Sequence, residues 1–297
     1  MLQLSEEFTS GHAELRARLR FDVYGSEPRA HVLDDLSFLA YRLASVQIEA
    51  EITRPKPDIV WDPDADGKSI RYDGQTLFLG GEWFQGEIQK IIVSMLALRM
   101  EEIDLHPFHS SAIHYRDRTV MFMSGEANHG KTMAQIEGSR RGGLVVSTET
   151  TVTDEQGWAV LGSKSTFLKT RAKGTERSDI PDARKGAAKF FEKTPEFITY
   201  DEPCNVDLVV LPAIDGNFDT QVIEMIPFEK EYQTYHALIN YHGLHQLLAP
   251  GLPMPLIDTD ELRLKRAAFC HRFACRPYCL IRAANPQVLL DEVEKLL

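Results

Sequence analysis

Alternating hydrophobic and polar positions in residues 1–104 predict a small N-terminal α+β unit. Short β-rich runs are separated by turn residues, and Asp73-Gly74 between two alternating runs is typical of a β-hairpin. Apolar residues from Ile88 to Leu98 recur at helical spacing, which predicts an amphipathic helix whose apolar side is core. The predicted elements are helices at 32–43 and 83–102 and strands at 20–24, 46–53, 59–61, 69–72 and 76–79.

The pattern changes after residue 105, where a buried strand, a glycine-bounded loop, a helix and a second buried strand predict a β-α-β unit. These four segments are 118–123, 124–130, 131–140 and 143–147. A long polar stretch at 173–195 predicts a loop or lid with a short helix. Further strands are predicted at 151–153, 158–161, 206–211 and 277–282, and helices at 232–248 and 286–297. We therefore expect an α/β chain, α+β overall, with an N-terminal unit at 1–104 and a second domain at 105–297.

Composition narrows the function classes. The chain has 297 residues, 43% of them hydrophobic, and a net charge of −11, which suits an ordinary globular protein of one or two domains. A negative surface repels phosphate backbones, so we expect no nucleic-acid partner. No apolar run approaches the length of a membrane span and the N-terminus lacks the features of a signal peptide, so we expect no membrane partner and a cytoplasmic location.

The strongest chemical signal is the phosphate-loop pattern GxxxxGK[ST] that runs from Gly125 to Thr132. Glycines let successive backbone N–H groups point into one concavity, and the following helix adds the positive end of its dipole. Lys131 would reach the outer phosphates and the hydroxyl of Thr132 would bind Mg²⁺. The predicted nucleotide-contacting residues of this loop are Gly125, Ala127, Asn128, His129, Gly130, Lys131 and Thr132.

A nucleoside-triphosphate site also needs a carboxylate that holds the metal or accepts a proton. Glu149 is the first acid after the uncharged run 143–147, so it should emerge at the end of the strand beside the loop. Two alternatives remain open: Glu149 is a solvated loop residue, or Asp154 supplies the carboxylate instead.

Three segments together resemble the catalytic domain of HPr kinase/phosphorylase and its HPr-kinase-like relatives. They are the stretch that opens with His109-Ser-Ser, the phosphate loop, and Arg141-Gly-Gly-Leu-Val-Val-Ser-Thr-Glu149. The resemblance covers about 105–297 and extends weakly to 166–169 and 278–282. It implies a fold like the nucleotide-binding domain of phosphoenolpyruvate carboxykinase, ATP and Mg²⁺ as cofactors, and roles near the phosphates for His109 and Lys169.

Two departures from that family matter. The family usually has two adjacent aspartates where this chain has Thr148 and Glu149, so the metal and base roles cannot both be transferred. The second glycine-rich signature of the true HPr kinases is absent from the sequence, which removes HPr as the expected substrate. We therefore expect an ATP-dependent kinase that phosphorylates a hydroxyl of a small molecule or peptide, with Lys131, Glu149 and His109 catalytic and Thr132 and Glu149 on the metal.

The alternative function is a regulatory module that binds a nucleotide without catalysis, and the missing second acid favours it. A homo-oligomer is left open. Other polar clusters have weaker interpretations. The cysteines at 270–279 belong either to a metal site or to a half-buried strand, and the basic stretches 164–190 and 263–282 could bind phosphate groups. Three histidines of the helix predicted at 232–248 favour a packed or substrate-facing helix over a metal site. Those histidines are His236, His242 and His245.

Overall fold

A computed structural model describes residues 1–124, 129–169, 188–192, 197–214, 219–242, 252 and 255–297, with the backbone alone at 166–169, 188–192 and 242. The chain divides into two compact units. The first comprises Met1–Pro107 and Leu238–His271, and the second comprises Phe108–Ala237 and Arg272–Leu297. Residues 238–271 thus belong to the first unit although they follow most of the second unit in sequence.

The first unit contains a six-stranded mixed sheet in the order β3-β1-β2-β4-β6-β5. The β2–β4 and β4–β6 pairs are parallel, and the other pairs are antiparallel. Its strands are β1 (Leu2–His12), β2 (Leu15–Tyr24), β3 (Gln47–Glu49), β4 (Ile59–Asp62), β5 (Ser69–Tyr72) and β6 (Leu77–Gly80), and its short first helix is α1 (Ser37–Arg42). Alternate residues of β2, among them Leu19, Phe21 and Val23, are buried, as expected of a strand with one face on a core.

Strand β1 was not predicted, because its polar residues hide the alternation. Glu6 and Glu7 are both buried. The side chain of Glu7 accepts hydrogen bonds from Arg18 and from Thr53, so the charge is compensated inside the unit. A pattern search that assigns carboxylates to the surface cannot find such a strand.

The helix α2 (Gln85–Glu102) confirms the helix predicted at 83–102. Its side chains are buried around most of its circumference rather than along one stripe. The reason is that residues 238–271 belong to the same unit: the hydroxyl of Ser94 donates to the carbonyl of Tyr241 at 2.8 Å. Near the end of α2, Glu101 accepts a hydrogen bond from Nε of Arg266 at 2.8 Å, and both side chains are buried.

The second unit contains a nine-stranded mixed sheet in the order β14-β11-β10-β7-β8-β15-β17-β16, with β9 also paired to β7. Its strands are β7 (His106–Tyr115), β8 (Arg118–Met123), β9 (Leu144–Ser147), β10 (Thr150–Thr153), β11 (Trp158–Gly162), β14 (Cys204–Asn205), β15 (Leu208–Ile214), β16 (Gln221–Glu224) and β17 (Tyr278–Ala283). A separate two-stranded sheet pairs β12 (Ser165–Lys169) with β13 (Ala188–Glu192). Helices α3 (Lys131–Arg140) and α6 (Pro286–Leu296) belong to this unit, α4 (Pro227–His242) begins in it, and α5 (Asp260–Phe273) lies mostly in the first unit.

The predicted β-α-β unit is present as β8-α3-β9. Strand β7 lies between β8 and β9 and runs antiparallel to both, so β8 and β9 are parallel without being neighbours. The parallel neighbour of β8 is β15, whose other neighbour is the parallel strand β17. The phosphate-loop segment therefore begins at the end of a central strand.

The core beneath this sheet is closed by α3 and α6. Ala134 of α3 and Leu289, Leu290 and Val293 of α6 are buried against strands β8, β15 and β17. Burying each of the three large aliphatic side chains contributes about 1.5–3 kcal/mol. Helix α6 begins as predicted, with a proline in its first turn, and the side chain of Asn285 accepts a hydrogen bond from the amide of Val288.

Several boundaries and assignments differ from the sequence predictions. The predicted strand 46–53 shortens to β3, the predicted helix 32–43 to α1, and the strand predicted at 206–211 begins later, as β15. Within the polar stretch 173–195, residues 188–192 form a strand, while the rest lies outside the described residues. Helix α5 was not predicted, because the buried Arg266 occupies a core position between Leu262 and Phe269 and interrupts the apolar period.

The mixed α/β class is confirmed. No helix in the described part of the chain is long and apolar enough to cross a membrane.

Candidate functional site

The end of the phosphate loop lies between β8 and α3, as the motif requires. Residues 125–128, which include the predicted contacts Gly125, Ala127 and Asn128, lie outside the described residues. Gly130 adopts a left-handed conformation, with φ of 103°, directly before α3. A Cβ atom at this position would lie 2.7 Å from the side chain of Ile214, so both the backbone angle and the space require glycine. Glycine at this position therefore lets the side chain of Ile214 pack against the start of α3.

Lys131 is the first residue of α3 and is buried. Its Nζ donates to the carbonyl of Ser124, the last described residue before the motif, at 3.3 Å. The hydroxyl of Ser111 on β7 donates to the carbonyl of Lys131 at 3.0 Å, which fixes the first turn of the helix to the sheet. The ammonium group is thereby held beside the two ends of the loop.

The other described loop residues differ in exposure. The side chain of His129 is exposed, and its carbonyl accepts a hydrogen bond from the amide of Ile214. Thr132, in the first turn of α3, is partly buried.

Strand β7 brings His109 and Glu149 to the same end of the sheet. Ser110 pairs with Met123, so His109 lies one position beyond, level with Ser124 at the start of the loop. Glu149 follows β9, and its carbonyl accepts a hydrogen bond from the amide of Ser110 at 3.1 Å. The His109 Nε2 atom lies 3.1 Å from Oε1 of Glu149, and both side chains are buried. The interpretation of Glu149 as a solvated loop residue is therefore wrong.

A third residue, Ser163, fixes the backbone of Glu149 and was missed by the sequence analysis. Its hydroxyl oxygen accepts hydrogen bonds from the amides of Glu149 and Thr150, at 3.1 and 2.9 Å. Gly162 permits this approach, because a Cβ atom there would lie 2.2 Å from the carbonyl of Val146. In the sequence, a Gly-Ser pair after a strand indicates only a turn, so it does not predict that the serine binds the backbone of Glu149.

The hydroxyl of Thr148 makes structural hydrogen bonds. Its hydroxyl lies 2.6 Å from the carbonyl of Ser165, to which it donates, and 3.1 Å from the carbonyl of Ser163. The residue that stands where the HPr kinase family has a second acid thus connects β9 to the start of β12.

Asp154, the rival carboxylate, belongs to a hairpin turn. Its side chain accepts a hydrogen bond from the amide of Trp158 at 2.8 Å, and its backbone also pairs with Trp158. This contact explains the acid structurally and favours Glu149 as the carboxylate of the site. Lys169 ends β12, and its side chain lies outside the described residues, as does Arg171.

The cysteine cluster is dispersed over different elements. Cys270 lies in α5, Cys275 in the following turn and Cys279 in β17, so the expectation of a single half-buried strand is wrong. Burial raises the pKa of the Cys279 thiol to about 12. Within the described residues no three His, Cys, Asp or Glu side chains are grouped to hold a metal ion.

The predicted helix around 232–248 is present as α4, which ends at His242. His236 packs beside the ring of Tyr232. The side chain of His242 and all of His245 lie outside the described residues.

Several bases of the stretch 263–282 make structural contacts. Arg266 binds Glu101 and Asp258, while Arg272 pairs with Glu155. The Nη2 atom of Arg276 donates to the carbonyls of Gln156 and Gly157. These contacts give three of the six bases of the stretch a structural role, and phosphate handling by this stretch stays a prediction.

Two side chains of the candidate site carry oxygen donors of the kind that Mg²⁺ binds. This ion takes near-octahedral oxygen ligands and is usually bound by one or two protein oxygens together with waters and substrate phosphates. The hydroxyl of Thr132 and the carboxylate of Glu149 are donors of that kind, and Glu149 uses Oε1 in its contact with His109.

No protein-family model matches the chain, and no curated protein shows significant similarity to it. The resemblance to HPr kinases accordingly stays a prediction that depends on the quoted motifs.

Proposed function

We propose that the second unit is an ATP-dependent kinase that transfers the γ-phosphoryl group to a hydroxyl of a small molecule or a peptide. The observation that carries the proposal is the convergence of a phosphate-loop lysine and a buried carboxylate–histidine pair on neighbouring residues of strand β7. Lys131 is tied to β7 through Ser111, and Glu149 is tied to it through Ser110 and His109.

The residues have separable tasks in this proposal. The helix N-terminus and Lys131 bind the phosphates and withdraw negative charge from the oxygens around the transferred group. Thr132 and Glu149 would hold Mg²⁺, which neutralises charge on the β and γ oxygens when bound. Glu149, kept in place by His109 and Ser163, or a neighbouring residue would accept the proton of the acceptor hydroxyl. Most of the rate enhancement then comes from positioning and electrostatics.

The test is transfer of label from [γ-³²P]ATP, with Mg²⁺, to a panel of polyols, sugars, hydroxy amino acids and serine peptides. The proposal predicts an acceptor-dependent labelled product that disappears in the Lys131→Ala variant. Product formation at an unchanged rate in that variant would overturn the assignment of the site.

A second candidate is a regulatory module that binds nucleotide without transferring phosphate. Thr148 favours this candidate, because its hydroxyl donates to backbone carbonyls. Glu149 therefore has a threonine rather than a second acid before it. Saturable ATP binding without any transfer across the panel, at saturating Mg²⁺, would select this candidate over the kinase.

A further inference from the structure

A cavity of about 890 Å³ lies on the six-stranded sheet of the first unit. Ile59 and Trp61 of β4 are buried in the core, so Val60 and Asp62, which alternate with them, belong to the other face of the sheet. Val60 and Asp62 both line the cavity. The volume is in the usual range for sites that bind small molecules.

The strand register places the lining side chains of this face in two rows. In the first row Val60 pairs with Phe78, and Phe78 pairs with Arg71. The second row, two residues further along the strands, consists of Asp62, Gly80 and Ser69. A Cβ atom at Gly80 would lie 2.4 Å from the hydroxyl oxygen of Ser69, so glycine leaves room for that hydroxyl.

The cavity lies where three parallel strands end. The strands are β2, β4 and β6, and their last residues, Tyr24, Asp62 and Gly80, all line the cavity. In open α/β sheets, ligands bind outside the carboxyl ends of the parallel strands. The position of this cavity in its sheet is thus one that binding sites commonly occupy.

Arg71 supplies a positive charge to the cavity. Its guanidinium group lies over the ring of Phe78, 4.1 Å from the ring centroid, and it makes no hydrogen bond or ion pair with any residue that the structure describes. The acid nearest to it in sequence, Asp73, accepts hydrogen bonds from the amides of Gln75 and Thr76 in its own turn. Because stacking uses the flat face of a guanidinium, the N–H donors at the edge of Arg71 stay available for a carboxylate.

Asp62 and Asp64 supply negative charges to the same cavity. Oδ1 of Asp62 accepts a hydrogen bond from the amide of Asp64 at 3.2 Å, and Oδ2 of Asp64 accepts one from the amide of Ser26 at 2.6 Å. Each contact uses one carboxylate oxygen. Within the described part of the chain, the second oxygen of each carboxylate has no hydrogen-bond partner, and both side chains are exposed.

The opposite charges face one cavity without pairing with each other. The guanidinium of Arg71 lies over Phe78, and strand spacing together with the rise over two residues separates Phe78 from Asp62 by roughly 8 Å. An α-amino acid fits such a span, because its own charges are close together and a hydrogen bond of about 2.9 Å extends from each. A simple anion would be repelled by the two carboxylates, and a simple cation by the guanidinium.

We propose that this cavity binds a free α-amino acid with an apolar side chain. Asp62 and Asp64 accept hydrogen bonds from its ammonium group, and Arg71 donates to its carboxylate. Its side chain contacts Val60 and Tyr24, which give the cavity apolar surface. This binding does not depend on the function of the phosphate loop.

Isothermal titration calorimetry on the full chain tests the proposal with L-phenylalanine and L-leucine. The analogues that lack the carboxylate are phenethylamine and isoamylamine, and those that lack the ammonium group are 3-phenylpropionate and 4-methylpentanoate. The site variants are Arg71→Gln and the double variant Asp62→Asn with Asp64→Asn. The matched control is Asp66→Asn, because Asp66 is an exposed acid of the same loop that does not line the cavity. Circular dichroism checks that each variant is folded.

The proposal predicts saturable binding of at least one of the two amino acids, with about tenfold or more weaker binding of both of its analogues. Arg71→Gln should lower the affinity for the amino acid to that of its amine analogue, and the double variant should lower it to that of its acid analogue. Asp66→Asn should bind like wild type. The absence of saturable binding, equal affinities for the amino acid and either analogue, or an unchanged affinity in either site variant would overturn the proposal. Tighter binding of glucose, a neutral polyol, would overturn it as well and assign the cavity to a sugar.

Discussion

His109 and Glu149 are 40 positions apart in sequence, yet Nε2 of the histidine lies 3.1 Å from Oε1 of the glutamate in a buried contact. The amides of Glu149 and Thr150 donate to the hydroxyl of Ser163, which holds the backbone of the glutamate. The contact with His109 then fixes the orientation of its carboxylate. A carboxylate that is both desolvated and held in one orientation suits proton transfer or metal binding better than one on a mobile loop.

Replacing Glu149 with Gln keeps the shape of the side chain and removes its charge and basicity. We expect the rate of phosphoryl transfer to fall by about 10²–10⁴-fold, which is the usual contribution of a general base. The matched control is Asp154→Asn, since Asp154 serves the hairpin turn, and it should retain wild-type transfer. Steady-state kinetics with a labelled acceptor give both values. A large loss in Asp154→Asn with little loss in Glu149→Gln would assign the carboxylate role to the other residue.

Gly130 and Gly142 both have positive φ, 103° and 94°, but differ in the space around them. A Cβ atom at Gly130 would meet Ile214, whereas one at Gly142 would meet nothing within 4 Å. We expect Gly142→Ala to lower the free energy of unfolding by about 1–2 kcal/mol through backbone strain alone. Gly130→Ala should lower it by a further 1–3 kcal/mol or so because of overpacking. Urea unfolding measures both, and equal losses would show that the contact with Ile214 is unimportant.

Restoring the second acid of the HPr kinase pattern should not improve this site. In Thr148→Asp, an ionised carboxylate would face the carbonyl oxygens of Ser163 and Ser165 in a buried position. We expect that variant to lose about 3 kcal/mol or more of stability, while Thr148→Ser, which keeps the hydroxyl, loses about 1 kcal/mol. Thermal unfolding compares the two variants. A Thr148→Asp protein that is as stable as wild type and more active would contradict the structural role of this hydroxyl.

Glu7 makes the stability of the first unit depend on pH. Burial alone would raise the pKa of this carboxyl, but hydrogen bonds from Arg18, Arg54 and Thr53 outweigh it and lower the pKa from 4.5 to about 2. The stabilisation is therefore complete above pH 4.5 and is lost as the pH falls toward 2. It amounts to about 3 kcal/mol at pH 7 and about 1 kcal/mol at pH 3.

The difference in unfolding free energy between wild type and Glu7→Gln should accordingly shrink between pH 7 and pH 3 in urea titrations. Glu14→Gln, at an exposed position of the turn between β1 and β2, is the control and should change stability by less than about 0.5 kcal/mol. A Glu7→Gln difference that stays constant with pH would contradict the lowered pKa.

The parts of the fold that obey simple hydrophobic periods were predictable from the sequence. The strand before the phosphate loop, helix α3 and the closing helix α6 appear where the pattern places them, because their cores are built from aliphatic residues. Strand β1 and helix α5 were missed because Glu7 and Arg266 occupy core positions as compensated charges. Binary patterning cannot represent a buried ion pair, so these elements needed tertiary information.

The residues of the candidate site likewise include some that the local sequence predicts and some that it does not. The motif identifies Gly130 and Lys131, and the end of a strand identifies Glu149, since both signals are local in sequence. Ser111 and Ser163 were not predicted, because a serine that bonds a helix carbonyl or a strand amide has no local signature. Their role follows only from the pairing of β7 with β8 and from the close approach at Gly162.

The central claim is that the loop ending at Lys131 binds nucleotide phosphates, and isothermal titration with Mg·ATP tests it most directly. Wild type should bind Mg·ATP saturably and bind AMP much more weakly, because the contacts are to the outer phosphates. Lys131→Ala should weaken Mg·ATP binding about tenfold or more, whereas Lys295→Ala, which removes an exposed lysine of α6, should leave it unchanged. Absent binding in wild type, or equal affinities in wild type and Lys131→Ala, would contradict the account.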